Sequence, residues 1–305
     1  MLHYTAVQWL FFFYFYCFFG WIFESTFVSV KSRHFVNRGF MRGPFLPIYG
    51  SGAIMMLVVS MPFQDNIFLT YIAGCIGATA LELVTGVVME ALFKVRYWDY
   101  SNQKFNYKGH ICLSSTVAWG FLTILMTEFL HKGVEKVVFA IPGNIVTVLT
   151  IVLSVYIVVD FTLSFKAAMD LRDILIGLEK AREEMERIQK RLDVLIAVAS
   201  DERELRKQER ESRTEELMDS LEEKFNRIKE RLITEPGEFV GDVRDELMEL
   251  RSKYLVEKEH RLQFGRIKDF YQRNLIKGNP GMRSKHFNDA LEELKKAVNE
   301  RRKDS

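Results

Sequence analysis

IFLTYIAGCIGATALELVTGVVMEALF, residues 67–93, is uncharged from Ile67 to Leu81, meets Glu82, and runs on apolar past Glu90 to Phe93. About 20 such residues cross the hydrocarbon core of a bilayer as a helix. A charge at the bilayer centre costs about 2.5–3.5 kcal/mol on insertion scales, so Glu82 implies polar partners on neighbouring helices. Glu90 follows eight residues later, about 12 Å along a helix and about 80° round it. Ala73, Gly74, Gly77 and Ala78 put small residues at four-residue spacing in the same stretch, which lets a second helix come close enough to shield a carboxylate.

Four further uncharged runs stand around it: Tyr4–Phe23, Pro44–Phe63, Ile111–Thr127 and Val137–Val159. Together they predict an all-α polytopic bundle of about five membrane helices. Glu24 and Asp160 end the first and last runs, and Glu128 follows the fourth. The first run lacks a basic leader and a small-residue cleavage site, and is read as a retained anchor. Lys31, Arg33, Arg38 and Arg42 lie between the first two runs with no acid among them. Lys94, Arg96, Lys104 and Lys108 lie between the third and fourth against Asp99 alone. The remaining two loops lack such an excess, so the N-terminus is expected outside, the basic loops and the long tail in the cytoplasm, and the chain in the cell membrane as a multi-pass protein.

The chain carries 42 basic and 40 acidic residues, of which 32 and 32 lie in the tail that begins at Phe165, leaving 10 and 8 for the first half. A tail this evenly charged excludes a polybasic nucleic-acid arm. Leu171, Ile174, Leu178, Ala181, Met185, Ile188, Leu192, Leu195 and Ala199 step by three and four, a heptad seam. A dimer or a folded-back hairpin would bury it. The pattern lapses over residues 201–216 and resumes at Met218, Leu221, Phe225, Ile228 and Leu232. Pro236-Gly237 then stops it, and a further helix follows with Val240, Val243, Leu247 and Leu250. Gly278-Asn279-Pro280-Gly281 precedes a last short helix with Phe287, Leu291, Leu294 and Val298. The expected organisation is a membrane domain over 1–165, cytoplasmic coiled-coil helices over 166–235 and a helical C-terminal region over 236–305.

The two basic loops are rich in turn residues. Asn37-Arg38-Gly39-Phe40-Met41-Arg42-Gly43-Pro44 leads into the second run, and Trp98-Asp99-Tyr100 through Asn106, Gly109 and His110 leads into the fourth. Both deliver helix N-termini with cations beside them, an arrangement that suits an anion. The candidate binding residues are Glu24, Asn37, Arg38, Arg42, Glu82, Glu90, Asp99, Asn106 and His110. The plainer alternative is that Lys31, Arg33, Lys94 and Lys104 only set topology and that Glu24, Glu90 and Asp160 sit hydrated at headgroup depth. Cys17, Cys75 and Cys112 read as apolar packing residues, and no His, Cys and carboxylate set has metal-ligand spacing.

Trp21-Ile22-Phe23-Glu24, Asn37-Arg38-Gly39-Phe40, Gly43-Pro44 and Pro47-Ile48-Tyr49-Gly50 carry a family resemblance, with Glu82 and Glu90. Trp98-Asp99-Tyr100-Ser101, Asn106 with Gly109, Ile111-Cys112-Leu113 and Trp119-Gly120 extend it. These residues resemble the ABC-transporter type IV, or CmpB-type, membrane proteins of bacteria, over about residues 10–160. The resemblance implies a multi-pass, permease-like transport component. No Gly-rich loop ending in Gly-Lys-Ser or Gly-Lys-Thr is present, so ATP hydrolysis calls for a separate ATPase subunit. No cofactor and no catalytic motif is implied.

Three classes of function remain open on the sequence. The chain is a permease component with a cytoplasm-facing polar site, a membrane-anchored scaffold acting through its coiled coil, or an intramembrane enzyme on lipid-linked phosphate. Expected partners are the lipid bilayer, a second copy or other helices along the coiled coil, and the separate ATPase.

Overall fold

The computed structural model describes residues 4–199, 218–226, 241–264 and 270–300. The described residues are mostly helical. In chain order its elements are α1 (Ala6–Ser32), α2 (Pro47–Ser60, ending in a tight turn at Met61–Phe63), α3 (Ile67–Phe93), β1 (Asn106–Tyr107) and β2 (Ile111–Cys112). They continue with α4 (Leu113–Leu125), a π-helical turn at Met126–Leu130, α5 (His131–Ala140) and α6 (Gly143–Ala199). After these come α7 (218–226), α8 (Gly241–Phe264), α9 (Phe270–Gly278) and α10 (Asn288–Glu300). Two compact units result, Met1–Arg172 with Lys268–Ser305, and Asp173–Ile267.

Local chemistry sets the helix ends in the first unit. Thr5 and Gln8 form a capping box at the start of α1, and the Asn66 side chain accepts from Phe68 N and Leu69 N at the start of α3. Lys94 closes α3 in the left-handed region, with φ 61°. β1 and β2 pair antiparallel, Asn106 opposite Cys112 and Tyr107 opposite Ile111.

The helices α1, α2, α3, α5 and α6 and the π turn share one core. It contains Phe11, Phe12, Tyr16, Ala53, Met56, Leu57, Ala78, Met126, Val138 and Val146. Outward, Phe23, Phe27, Phe68, Ile76, Val84, Phe121, Val148, Ile151, Val155 and Val158 are exposed. An apolar core inside an apolar exterior is the pattern of a helix bundle in lipid.

Among the described residues four helices are long and apolar enough to cross a membrane: Ala6–Ser32, Ile67–Phe93, Leu113–Ala140 and Gly143–Leu195. This corrects the expected five. The second run forms only the shorter helix Pro47–Phe63, because Leu46 N donates to Cys17 O at 3.0 Å and holds the preceding residues out of the helix until Pro47 takes its first position. The fourth helix runs past Thr127 and Glu128 through Lys132, Glu135 and Lys136, which hydropathy reads as a loop. The π turn absorbs an extra residue there, and Lys132 pairs with Glu128 at 2.7 Å, an i,i+4 contact that suits a helix.

Close approach between α3 and α4 depends on two glycines. A Cβ on Gly74 would stand 2.2 Å from Thr123 Oγ1 and 2.5 Å from Thr123 Cβ, and one on Gly120 would stand 2.5 Å from the Tyr71 ring. The small-residue reading of this face is thereby given a geometry.

In the second unit, Met185, Ile188, Leu192, Leu195, Leu221, Phe225, Leu247, Leu250 and Tyr254 form a core, joined by Met218. From Met185 to Leu195 the heptad seam of α6 is therefore covered within the chain by α7 and α8. Leu175, fully buried, occupies the seam where the heptad pattern expected Ile174, which is half-buried. Ile228, Leu232, Pro236-Gly237 and Val240 lie outside the described residues, as do the side chains of Ala199 and Val243. At the C-terminal end, Gly278 closes α9 as expected of its turn sequence, and Leu291, Leu294 and Val298 of α10 are buried.

Gly74→Ala should lower the unfolding free energy of the purified chain in detergent by about 1–3 kcal/mol through overpacking against Thr123. Gly52→Ala, with nothing within 4 Å of its added carbon, should leave it unchanged or raised.

Candidate functional site

Glu82 lies buried on α3, only 6% exposed. Its Oε1 accepts from the Tyr100 hydroxyl at 2.9 Å, and its Oε2 accepts from Trp119 Nε1 at 2.9 Å and the Ser115 hydroxyl at 3.3 Å. Ser115 and Trp119 are one turn apart on α4 and so share a face. Tyr100 comes from the loop before β1. Burial, with the charges of Glu82 and Glu24 added, raises the Tyr100 phenol above its usual range, so it stays a donor. Among the described residues no cation stands within ion-pair distance of Glu82, whose carboxyl oxygens are met by three neutral donors.

Glu24, at the last turns of α1, faces the loop that precedes α2. Arg38 Nε is 3.3 Å from Glu24 Oε1, and the Tyr49 hydroxyl donates to Glu24 Oε2 at 2.7 Å. Arg38 Nη1 also donates to Asn279 Oδ1 at 2.8 Å and Gly278 O at 3.2 Å, while its backbone N–H donates to Ser25 Oγ at 3.1 Å. Asn279 Nδ2 returns a hydrogen bond to Gly39 O at 2.9 Å. A Cβ on Gly278 would stand 2.5 Å from Asn37 O, so glycine is required for this approach. Asn37 itself braces the loop, accepting from Trp21 Nε1 at 2.6 Å and donating to Arg42 O.

Glu90 and the second loop form a third group. Arg96 Nε lies 2.9 Å from Glu90 Oε2, an ion pair whose angle is not that of a hydrogen bond, and His110 Nε2 lies 3.1 Å from the same oxygen. Arg96 Nη1 is 3.6 Å from Asp99 Oδ1, and Arg283 Nη1 is 3.8 Å from Asp99 Oδ2. Arg96 and Arg283 exchange backbone hydrogen bonds of 2.6 and 3.0 Å, and the Ser284 hydroxyl donates to Lys94 O at 2.6 Å. Burial lowers His110 below its ordinary value of 6.5, aided by Arg96 and Lys108 and opposed by Glu90 and Asp99. The neutral ring stands beside the Glu90 carboxyl without carrying a charge of its own. Burial alone would raise Asp99, but the Ser101 hydroxyl and amide, Arg96 and Arg283 outweigh it and hold the carboxyl below its usual value.

Of the sequence candidates, Glu24 and Arg38 therefore meet, as do Glu90, Asp99 and His110 through Arg96. Glu82 joins the second loop through Tyr100. Arg42 stacks over Phe270, 4.1 Å from the ring centre, and Asn106 spends its side chain inside its own loop on Ser101, Gln103 and Gly109. Asp160 accepts from Gly43 N at 2.8 Å.

Partners outside the sequence candidates are Tyr49, Arg96, Tyr100, Ser115, Trp119 and Asn279. A further group escaped the sequence reading entirely. His131, 3% exposed, has Tyr16 Oη 2.8 Å from Nδ1 and Tyr4 Oη 2.9 Å from Nε2, and the Tyr4 hydroxyl donates to Glu135 Oε1 at 2.7 Å. Because Tyr4 gives its proton to Glu135, it accepts from His131 Nε2–H, which leaves Nδ1 to accept from Tyr16. The chain of donors ties α1 to α5, and nothing local in either segment announces it.

Four long apolar helices, an apolar exterior and buried carboxylates bonded across helices and loops define a multi-pass helical membrane protein. Residues 11–165 match the family described as Putative ABC-transporter type IV, and the chain belongs to that family. No curated protein matches the chain, and no solved structure does.

The His110 shift has a sign that can be measured. Below pH 6.5 the unfolded chain takes up a proton that folded His110 refuses, so stability falls on acidification, by less once the folded ring also titrates. Asp99 adds nothing between pH 8 and 5, because its stabilising charge is lost only when pH falls through its depressed folded value. The melting temperature should therefore drop from pH 8 to pH 5, and drop less in His110→Gln.

Proposed function

We propose that this protein is the membrane-spanning permease component of a transport system, with a polar site opening at the end that carries the two basic loops. That end faces the cytoplasm, on the excess of Lys and Arg in both loops. The observation that carries the reading is Glu82, a buried carboxyl group on a membrane-spanning helix, held by hydroxyl and indole donors with no cation beside it among the described residues. An intramembrane acid so placed marks a path for cargo or a coupling ion. A buried carboxyl group with no cation beside it favours a cargo group, or coupling ion, that is positive.

The Glu24–Arg38 pair, with Tyr49 behind it and Asn279 over it, lies on the cytoplasmic approach and acts as the gate. Opening it separates Arg38 from Glu24 and exposes the Tyr100 face of Glu82. Glu90 with Arg96 and His110 holds the second loop in place. Energy comes from a separate ATPase subunit, which binds the cytoplasmic side. The second unit closes its own apolar seam, which favours the folded-back arrangement over pairing with a second copy along α6.

In cells whose own copy of the gene is deleted, the wild-type chain should restore the lost phenotype and Glu82→Gln should not, at equal abundance in the membrane. Leu192→Asp, which disrupts the second unit, separates this reading from a scaffold. A scaffold predicts loss with Leu192→Asp and full activity with Glu82→Gln, and that pattern would overturn the permease reading.

A further inference from the structure

Arg42, Gly43, Tyr156, Val159, Asp160 and Tyr271 line a cavity of about 360 Å³. Two opposite charges border it without pairing. Asp160 is 6% exposed, and among the described residues only the Gly43 N–H reaches it, through Oδ2. A carboxylate offers about four lone-pair positions, so most of its accepting capacity remains open to the cavity. Arg42 lies against the faces of Phe270 and Tyr271, at 4.1 and 5.5 Å from the ring centres. Stacking uses the face of a guanidinium and leaves its N–H edge available, and among the described residues that edge meets no acceptor side chain.

The floor of the cavity is backbone. A Cβ on Gly43 would stand 2.3 Å from Tyr156 Oη and 3.0 Å from Asp160 Oδ2, so only glycine lets the loop come this near α6. The rim is apolar on one side. Val155, Tyr156, Val158 and Val159 are exposed on α6, on a stretch where Val148, Ile151 and Val152 are exposed as well. The cavity thus opens where the lipid-facing surface of α6 meets a loop bearing Arg42, the depth at which phospholipid headgroups lie.

We propose that this cavity holds a phospholipid headgroup that carries both a phosphate and a primary ammonium, of the phosphoethanolamine type. The phosphate takes the N–H edge of Arg42, with the Tyr156 hydroxyl in reach as a second donor, and the ammonium donates to Asp160. Pockets for small ligands span about 300–1,000 Å³, and this one, at the lower end, suits a headgroup whose acyl chains stay outside along the valines of α6. A phosphoglycerol headgroup satisfies Arg42 but brings no cation to Asp160. A trimethylammonium headgroup brings a cation with no N–H to give. The proposal rests on the membrane placement of the chain and is independent of what it transports.

The full chain, purified into detergent with equimolar phosphatidylethanolamine, phosphatidylcholine and phosphatidylglycerol, should retain phosphatidylethanolamine preferentially when bound lipid is read by native mass spectrometry. The preference should be about tenfold, the worth of one charge-assisted hydrogen bond. Asp160→Asn, whose side-chain oxygen still accepts from Gly43, should lose the preference over phosphatidylglycerol. Arg42→Gln, at an exposed position, should weaken retention of all three lipids. Soluble phosphoethanolamine should compete only weakly, because it lacks the chains that follow α6. Equal retention of the three lipids by the wild-type chain would overturn the proposal, as would an unchanged preference in a folded Asp160→Asn or unchanged retention in a folded Arg42→Gln. Competition by soluble phosphoethanolamine as strong as by the lipid would overturn its lipid source. None of these readings depends on transport, so a failed Glu82→Gln test and a failed lipid test remain distinguishable.

Discussion

A carboxylate buried among apolar helices must be hydrogen-bonded or must lose its charge, and around Glu82 that requirement organises the loop end of the bundle. Its donors come from α4 and from the loop that precedes β1, so one side chain fastens a membrane helix to its neighbour and to a loop. Close packing of α3 on α4, which needs Gly74 and Gly120, brings Ser115 and Trp119 within reach. Helix contact and carboxylate solvation therefore depend on each other.

The same logic extends outward in a second polar layer. Arg38 and Arg96 each bridge a carboxylate at a helix end to a loop, and residues 278–284 bond to both loops: Asn279 to Arg38 and Gly39, Arg283 to Arg96, Ser284 to Lys94. Hydrogen-bonded loops and C-terminal residues thus form one layer of contacts across the first unit. In the proposed permease a site below it would be reached only when some of these bonds open, which is the ground for proposing the Glu24–Arg38 pair as its gate.

Much of this was legible in the sequence because bilayer chemistry is severe. Long apolar runs, acids inside them and cations between them have few solutions, and Glu24, Glu82, Glu90 and Asp160 are all held by polar partners as their positions required. The misreadings have local causes. Hydropathy counted residues 44–46 as helix, whereas a backbone bond from Leu46 to Cys17 keeps them out of it. It read Lys132, Glu135 and Lys136 as a loop, whereas the π turn and the Glu128–Lys132 pair carry the helix through them. The partners of His131 and Asn279 could not be found, since they lie 115–127 and about 240 positions away, and the turn sequence around Asn279 marks a helix end and not a contact.

A double-mutant cycle on Glu82→Gln and Tyr100→Phe, measured as unfolding free energy of the full chain in detergent, tests the central claim most directly. A coupling of about 1.5–3 kcal/mol is expected for a hydrogen bond to a buried charge. Additive effects, with no coupling, would mean that Glu82 and the second loop do not meet, and the shared polar site would fall with them.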